Sequence, residues 1–164
     1  MRKLFVALLL LTLPLGASAQ SSAESELYGL SFPGLNGADH RFEQHRGEVV
    51  LVNFWATWCP PCVREMPALN RLQSAFEGRP FSVLAISAGE TADEVSSFVE
   101  KLDLPLDLTL LIDSEGRTFK EFELRGLPMS YLFSAQGELV EVISGEEEWD
   151  SEAWQARIEK LLES

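Results

Sequence analysis

The hydrophobic residues of this chain occur in short runs separated by polar turns, and their spacing predicts alternating strands and helices. The strongest run is Val49–Trp55 (VVLVNFW), whose β-branched and aromatic side chains are typical of a strand buried on both faces of a largely parallel sheet. A second run, Phe81–Ala88, predicts the next strand. Shorter runs predict three further strands, at residues 108–112, 130–133 and 139–143. The last two flank a Gly137 turn and are expected to form a hairpin.

Helical spacing follows the first predicted strand. Apolar side chains recur three or four positions apart over residues 66–76, which predicts a helix that begins after a turn at residues 56–60. Pro67 lies inside this helix and is expected to kink its axis. Three more helices are predicted, at residues 91–102, 114–122 and 151–162. Thr91 is expected to cap the first of these three in a capping box with Glu94.

The alternation of strands and helices predicts an α/β fold. Residues 30–42 contain several turn-forming residues between short apolar patches, which suits a small hairpin at a sheet edge. One domain is expected to span residues 28–164, after a polar, flexible lead at residues 20–27. The acidic stretch at residues 146–150 is predicted to be a solvated loop before the last helix.

The first 19 residues have the order of a secretory signal peptide. Arg2 and Lys3 precede an unbroken apolar run at residues 4–15, and small residues follow at residues 16–19. The alternative is a retained membrane anchor, but the apolar run falls short of the roughly 20 residues that a membrane-spanning helix needs. The sequence therefore predicts export, to the periplasm or an equivalent compartment, and a soluble protein after cleavage.

Composition and charge narrow the class of protein. The chain has 164 residues, of which 46% are hydrophobic and 24% charged, enough for one well-packed domain. Its formal net charge is −13, and loss of Arg2 and Lys3 with the signal peptide would make it more negative still. Such a charge disfavours nucleic acids and anionic lipid surfaces as partners.

The chemistry of the chain is concentrated in its two cysteines, Cys59 and Cys62. They are separated by two residues and lie between a predicted buried strand and the start of a helix. At a helix N-terminus, free backbone donors and the helix dipole favour a thiolate, so Cys59 is the expected nucleophile. Cys62, one turn further along, is expected to resolve the mixed disulfide that Cys59 forms with a substrate.

Three other interpretations of the cysteine pair are weaker. A zinc site needs four ligands, and the other soft candidates, His40 and His45, precede the cysteines in an order that does not fit the usual motifs. A structural disulfide across so short a loop would add little stability. An ordinary pair of buried thiols is the third. The prediction is a redox site without a metal or cofactor.

The run Phe54-Trp55-Ala56-Thr57-Trp58-Cys59-Pro60-Pro61-Cys62 resembles the active-site segment of thioredoxin-fold proteins, and Pro67 matches their kinking proline. The resemblance implies a thioredoxin fold, with a central mixed sheet flanked by helices. The distance from Cys62 to Pro128 leaves room for an additional strand and helix. That insertion and the export signal resemble the TlpA/ResA/CcmG (DsbE) group of exported thiol:disulfide oxidoreductases.

The resemblance carries four further residues into the site. Pro128 matches the cis-proline that faces the disulfide in this fold, and Leu127 would offer its backbone to a substrate chain as an added strand. Glu90 stands where ResA-like proteins place an acidic residue beside the cysteines, so it is the expected proton acceptor for Cys62. Trp58 is expected to lie partly exposed at the substrate surface.

The chain departs from ordinary thioredoxins at Asn53, which replaces a buried aspartate of the central strand. An amide cannot act as a base, which makes Glu90 more important to the prediction. Simpler interpretations remain for two of the site residues. Glu90 could be a surface acid before a helix, and Pro128 a trans-proline that begins a strand.

The residues between the cysteines favour a reductant. Pro60 and Pro61 have no amide hydrogens, so the Cys59 thiolate depends on the Cys62 amide and the helix dipole, and a less stabilised thiolate belongs to a stronger reductant. Arg64 argues in the opposite direction, because a nearby cation stabilises the Cys59 thiolate.

The resemblance also implies partners: a membrane thiol carrier of the DsbD or CcdA type as electron donor, and protein clients with cysteine pairs, such as apocytochrome c or a metal-site assembly protein. Two alternative functions remain at this point. One is a disulfide oxidase or isomerase, and the other is a carrier that holds Cu(I) on the cysteine pair.

Overall fold

The computed structural model describes residues 27–102 and 107–164, which form a central sheet with helices and a small hairpin packed on it. The strands among these residues are β1 (Ser31–Pro33), β2 (Asp39–Arg41), β3 (Val49–Trp55), β4 (Phe81–Ala88), β5 (Thr109–Asp113), β6 (Met129–Phe133) and β7 (Leu139–Ser144). The α-helices are α1 (Pro60–Ala75), α2 (Ala92–Val99), α3 (Thr118–Glu121) and α4 (Glu152–Leu162), and a 3₁₀ helix spans Phe42–His45.

The central sheet has the strand order β5-β4-β3-β6-β7. β3 pairs in parallel with β4, and β4 with β5, whereas β6 and β7 are antiparallel to their neighbours. Every residue of β3 is buried, as its apolar run predicts for a central strand. The predicted thioredoxin-like α/β fold with a mixed sheet is confirmed. The other strands of the sheet also agree with prediction to within one residue.

The alternation of side chains along β3 gives the two faces of the sheet different neighbours. Val50 and Phe54 belong to the core that packs under the β1–β2 hairpin. Leu51 and Trp55 belong to the core formed with α1, α2 and α4. Asn53 lies on this second face by alternation, so its amide is directed toward the helix that carries the cysteines.

The predicted hairpin is present, because β1 and β2 form a separate antiparallel pair. Gly34 makes an isolated bridge to Leu111 of β5, which places the hairpin at the edge of the central sheet, as predicted. The capping box of α2 is also confirmed, with Thr91 and Glu94 bonded reciprocally. α2 ends at Val99, earlier than predicted, because i→i−3 hydrogen bonds at residues 101 and 102 tighten the chain into a turn.

The predicted helix at residues 114–122 is wrong over its first half. Only Thr118–Glu121 is helical. Gly116 has a positive φ of 64°, which interrupts right-handed helical geometry. The buried carboxylate of Asp113 instead accepts hydrogen bonds from the backbone amide and hydroxyl of Thr118, so a side chain organises this turn before the helix begins.

Two further predictions need correction. The acidic stretch at residues 146–150 is not simply a solvated loop, because Trp149 within it is fully buried. Leu27, predicted as the last residue of the flexible lead, is buried as well, so packing begins before the predicted domain boundary.

The predicted signal peptide at residues 1–19 lies outside the described residues, and so does nearly all of the predicted flexible lead. Among the residues that the structure does describe, none of the helices combines the length and the apolar character needed to cross a membrane.

Candidate active site

The cysteines lie where β3 leads into α1. Cys59 is the N-cap of α1, and its sulfur accepts a hydrogen bond from the Cys62 amide over 3.4 Å. The two cysteines form a disulfide with their Cα atoms 5.3 Å apart. Cys59 is 4% exposed and Cys62 is fully buried. The pair is therefore asymmetric, with the slightly more exposed residue, Cys59, at the positive end of the helix dipole.

The two prolines between the cysteines occupy the first helical positions, where an amide hydrogen would have no partner inside the helix. Neither can donate to the Cys59 sulfur, so the Cys62 amide provides the nearby backbone donor, as the sequence predicted. Arg64, in the first turn of α1, forms a two-pronged ion pair with Glu146, with its Nη2 only 2.6 Å from Oε2. Its charge is thus largely matched by a partner other than the cysteines.

Trp58 is 65% exposed beside Cys59, in agreement with its predicted place at the surface. The Leu127–Pro128 peptide bond is cis, and Pro128 is buried. Met129 pairs with Phe54 near the end of β3, so Pro128 lies at the same end of the sheet as the cysteine turn. The backbone amide and carbonyl of Leu127 have no hydrogen-bond partner within residues 27–102 and 107–164.

Glu90 is 6% exposed, which excludes the interpretation as a surface acid. Its Oε2 accepts hydrogen bonds from the Thr57 amide at 2.9 Å and the Ser87 hydroxyl at 2.7 Å, and its Oε1 accepts one from the Thr57 hydroxyl. Glu90 therefore ties the end of β4 to the turn that precedes Cys59. Thr57 was not predicted as a site residue, because nothing in the segment Trp55-Ala56-Thr57-Trp58 indicates that it would bond to Glu90.

A second buried carboxylate, Glu65, is the principal residue that sequence reasoning missed. It lies three positions after Cys62 on α1 and is 2% exposed. Its Oε1 accepts a hydrogen bond from Asn53 Nδ2 at 2.8 Å, and its Oε2 accepts from Trp149 Nε1 at 2.9 Å and from the Glu147 amide at 3.2 Å. The sequence did hold a signal, because Glu65 is a charged residue on the apolar stripe that includes Leu69 and Leu72.

Burial raises the pKa of the Glu65 carboxyl above its ordinary value, and the hydrogen bonds from Trp149, Asn53 and the Glu147 amide only partly oppose this. Side chains three apart on a helix have Cβ atoms about 5–6 Å apart, which brings Glu65 close to Cys62. A raised pKa makes Glu65 a stronger base than an exposed carboxylate. The site thus combines two sulfurs with two buried carboxylates on different elements.

The described residues contain no group of three or more His, Cys, Asp and Glu side chains arranged to hold a metal ion. His40 and His45, the sequence candidates for zinc ligation, contact each other near the amino end of the sheet, opposite the cysteines. A groove of about 900 Å³ runs along β6 and β7, and it is lined mainly by apolar residues that include Leu27, Phe122 and Val142. None of the predicted site residues lines it.

Comparison with known proteins gives the family of this fold and site. A sequence profile of the AhpC/TSA family matches residues 25–142. The chain belongs to the AhpC/TSA family. It is similar to the thiol-disulfide oxidoreductase ResA of Geobacillus kaustophilus, with 34% identity over 111 residues, which are 68% of this chain and 63% of that relative. The chain therefore spans less than two thirds of the length of this relative.

Solved structures agree with this assignment. A Chlorobium tepidum protein assigned as the thiol:disulfide interchange protein DsbE superposes with a TM-score of 0.73 and 27% identity, over 81% of this chain and 92% of that one. A secreted disulfide oxidoreductase of Mycobacterium tuberculosis gives a TM-score of 0.66 at 21% identity, over 84% and 97%, and supports the fold alone. The predicted resemblance to the ResA and DsbE group is confirmed.

Proposed function

We propose that this protein is a thiol:disulfide oxidoreductase that exchanges disulfides with protein substrates through Cys59 and Cys62. The observation that carries the proposal is the asymmetric disulfide at the N-terminus of α1, with Cys59 as the helix cap and Cys62 fully buried. An attacking thiol needs access and a stabilised thiolate, whereas a resolving thiol needs only proximity. The two cysteines meet these different requirements.

In the reducing direction, the Cys59 thiolate attacks one sulfur of a substrate disulfide and forms a mixed disulfide, while the other substrate sulfur leaves as a thiolate. Cys62 then loses its proton and attacks the Cys59 sulfur. The Cys59–Cys62 disulfide closes and the remaining substrate sulfur leaves as a thiolate. Two electrons pass from the protein to the substrate, whose thiolates take up protons.

The proton of Cys62 has two candidate acceptors, Glu90 and Glu65. Glu90, the sequence-based candidate, already accepts three hydrogen bonds from the turn and the end of β4. Glu65 is on the helix of Cys62, one turn further on, and burial raises its pKa, which makes it a stronger base than an exposed carboxylate. We therefore favour Glu65 as acceptor and Glu90 as the residue that holds the cysteine turn in place.

The substrate surface is proposed to consist of Trp58, Leu127 and Pro128. The backbone groups of Leu127, which have no partner among the described residues, are available to pair with an extended substrate chain as an added strand. The exposed indole of Trp58 offers apolar contact beside Cys59.

The proposed direction is reduction of protein disulfides. The two prolines have no amide hydrogen to donate to the Cys59 sulfur. Arg64, the cation near the cysteines that would favour the thiolate, is paired with Glu146. Both features leave the thiolate less stabilised, which favours release of electrons.

Export, recharging by a membrane thiol carrier of the DsbD or CcdA type, and clients such as apocytochrome c or metal-site assembly proteins belong to the same proposal and rest on family resemblance. A disulfide oxidase or isomerase, and a Cu(I) carrier, are the competing functions. Stoichiometric copper retained after dialysis would support the carrier.

Equilibration with glutathione tests the direction. We expect a reduction potential nearer to the thioredoxin value of about −270 mV than to the DsbA value of about −120 mV. Pro61→His is the matched variant, because a polar and partly cationic residue between the cysteines should stabilise the thiolate and raise the potential. A wild-type value near the DsbA potential would contradict the assignment as a reductant.

A further inference from the structure

The segment between β7 and α4 is attached to the active-site helix by a buried carboxylate. Both donors from this segment, the Glu147 amide and the Trp149 indole, bond to Oε2 of Glu65. On the opposite side, Asn53 of β3 bonds to Oε1 and also donates to Ser130 of β6 at 2.9 Å. Glu65 thus connects α1 to two strands and to a segment far along the chain.

The charged groups around Glu65 do not supply a counter-charge. Arg71, which lines the same pocket as Glu65, is paired with Asp150 at 2.7 Å. Glu146 is negative and is paired with Arg64, which points to solvent. The side chain of Glu147 accepts a hydrogen bond from Trp154 Nε1 at 3.3 Å. Cys62 precedes Glu65 by one helical turn, while Asn53 and Ser130 are neutral. Among the described residues, the ionised form of Glu65 therefore depends on neutral hydrogen-bond donors.

Packing alone does not explain the orientation of the Trp149 indole. Trp55 is also fully buried in the same core, yet its indole nitrogen has no hydrogen-bond partner within the described residues. This core can therefore contain a tryptophan without pairing its N–H. The Trp149 N–H, by contrast, points at a carboxylate oxygen from 2.9 Å, the geometry of a strong hydrogen bond to an anion.

We propose that Trp149 is a positioning residue for Glu65: its indole N–H fixes the carboxylate in the helical turn after Cys62 and stabilises the ionised form. The effect on Glu65 follows from the structure alone, whereas any effect on thiol exchange rests on the proposed function. Trp149 itself does not need to touch the substrate or the sulfurs.

The test is Trp149→Phe in the full chain, which keeps an aromatic ring and removes the N–H. The pKa of the Glu65 carboxyl, followed by ¹³C NMR in the disulfide form, should rise by about one unit, a tenfold change in proton affinity. Trp154→Phe is the matched control, because it keeps an aromatic ring against Trp149 and removes an indole N–H that bonds to Glu147 rather than to Glu65, so it should leave the Glu65 pKa unchanged. An unchanged Glu65 pKa in folded Trp149→Phe would overturn the proposal.

A second measurement covers the case in which Trp149→Phe does not fold. In the wild-type protein, the indole N–H resonance of Trp149 should titrate with the same midpoint as the Glu65 carboxyl, and an N–H that does not follow the carboxyl would overturn the proposal. The two proposals fail separately. If the Glu65 pKa rises in folded Trp149→Phe but the pH profile of thiol exchange stays that of the wild type, the role of Trp149 is supported and Glu65 is not the proton acceptor.

Discussion

Two polar clusters lie at opposite ends of β3 and β4, and each contains a carboxylate. The pKa of one carboxylate is raised and that of the other is lowered. At the carboxyl end, Glu65 is buried among neutral donors beside the cysteine helix. At the amino end, roughly 20 Å away along the strands, Glu48 is 30% exposed and its Oε2 lies 2.7 Å from His45 Nδ1. The Ser82 hydroxyl donates to the same oxygen at 2.6 Å.

The contrast in pKa follows from these surroundings. Burial alone would raise the pKa of Glu48, but hydrogen bonds from Ser82 and His45, and the charge of His45, bring it below its ordinary value. Burial raises the pKa of Glu65, and its neutral partners do not reverse the effect. Partial exposure and an imidazole partner thus favour the ionised form of Glu48, whereas burial among neutral donors favours the protonated form of Glu65. Of the two carboxylates, Glu65 lies in the proposed redox site.

The largest expected effect comes from removing the basic carboxylate. Glu65→Gln should slow reduction of a substrate disulfide at neutral pH by about 100-fold and flatten the pH dependence of the rate, since Cys62 loses its proton acceptor. Glu90→Gln should have a smaller effect, through the cysteine turn. The measurement is the rate of disulfide reduction by the reduced protein from pH 5 to 9.

Glu48→Gln is the control for this comparison, because it alters a carboxylate at the other end of the strands and should leave the exchange rate unchanged. A larger change in the pH profile for Glu90→Gln than for Glu65→Gln would assign the proton to Glu90 instead.

The next largest effect concerns stability. Asn53→Leu removes a buried donor from both Glu65 and Ser130, which should lower the free energy of unfolding by about 1–3 kcal/mol. Because the folded-state pKa of Glu65 lies above its unfolded value, this group contributes most at low pH, and its contribution is lost as pH rises through the folded pKa. Without the Asn53 donor this loss should be greater, so the variant should be more destabilised at pH 7 than at pH 5.

Urea unfolding at both pH values measures the effect. The paired variant is Ser82→Ala, which removes a donor from Glu48 where water can replace it, and which should lower stability by less than about 1 kcal/mol. If Asn53→Leu and Ser82→Ala lower the free energy of unfolding equally, burial does not explain the difference between the Glu65 and Glu48 clusters.

The smallest expected effect lies at the amino end. His40 Nε2 is 2.8 Å from His45 Nε2. Burial, followed by the charge of His45, lowers the pKa of His40 from its ordinary 6.5. The folded state therefore binds the proton less tightly than the unfolded state, so stability is full above about pH 6.5 and falls as the pH drops toward the folded pKa.

His40→Gln should remove this part of the acid sensitivity and reduce the stability loss between pH 7 and pH 5 by less than about 1 kcal/mol, since the ring is partly solvated. Urea unfolding at the two pH values gives the comparison with wild type. An identical loss in the variant and the wild type would show that the imidazole pair does not respond to pH.

What could be predicted from the sequence was local. The apolar run of β3, the cysteine spacing and the Thr91 capping box each lie within a few residues, and the structure reproduces them. The helix predicted at residues 114–122 was wrong over its first half, because Gly116 has a positive φ and the Asp113 side chain organises a turn there, and neither feature can be read from the sequence.

The Glu65 cluster depends on contacts that the sequence does not encode locally. Trp149 bonds to Glu65 from 84 positions away, and Asn53 bonds to Ser130 across 77. The acidic residues next to Trp149 favoured a solvated loop, but the indole bonds to Glu65 of α1 and packs against Trp154 of α4 in the core. A charged residue on an apolar helical stripe was the available clue, and Glu65 provided it.

The central claim is that Cys59 attacks and Cys62 resolves, and trapping tests it most directly. In Cys62→Ala, the mixed disulfide between Cys59 and its substrate cannot be resolved, so stable adducts should accumulate and be found by mass spectrometry on Cys59. Cys59→Ala should accumulate few adducts, since Cys62 is fully buried. Adducts that form through Cys62 in Cys59→Ala, and not through Cys59 in Cys62→Ala, would reverse the roles and contradict the account.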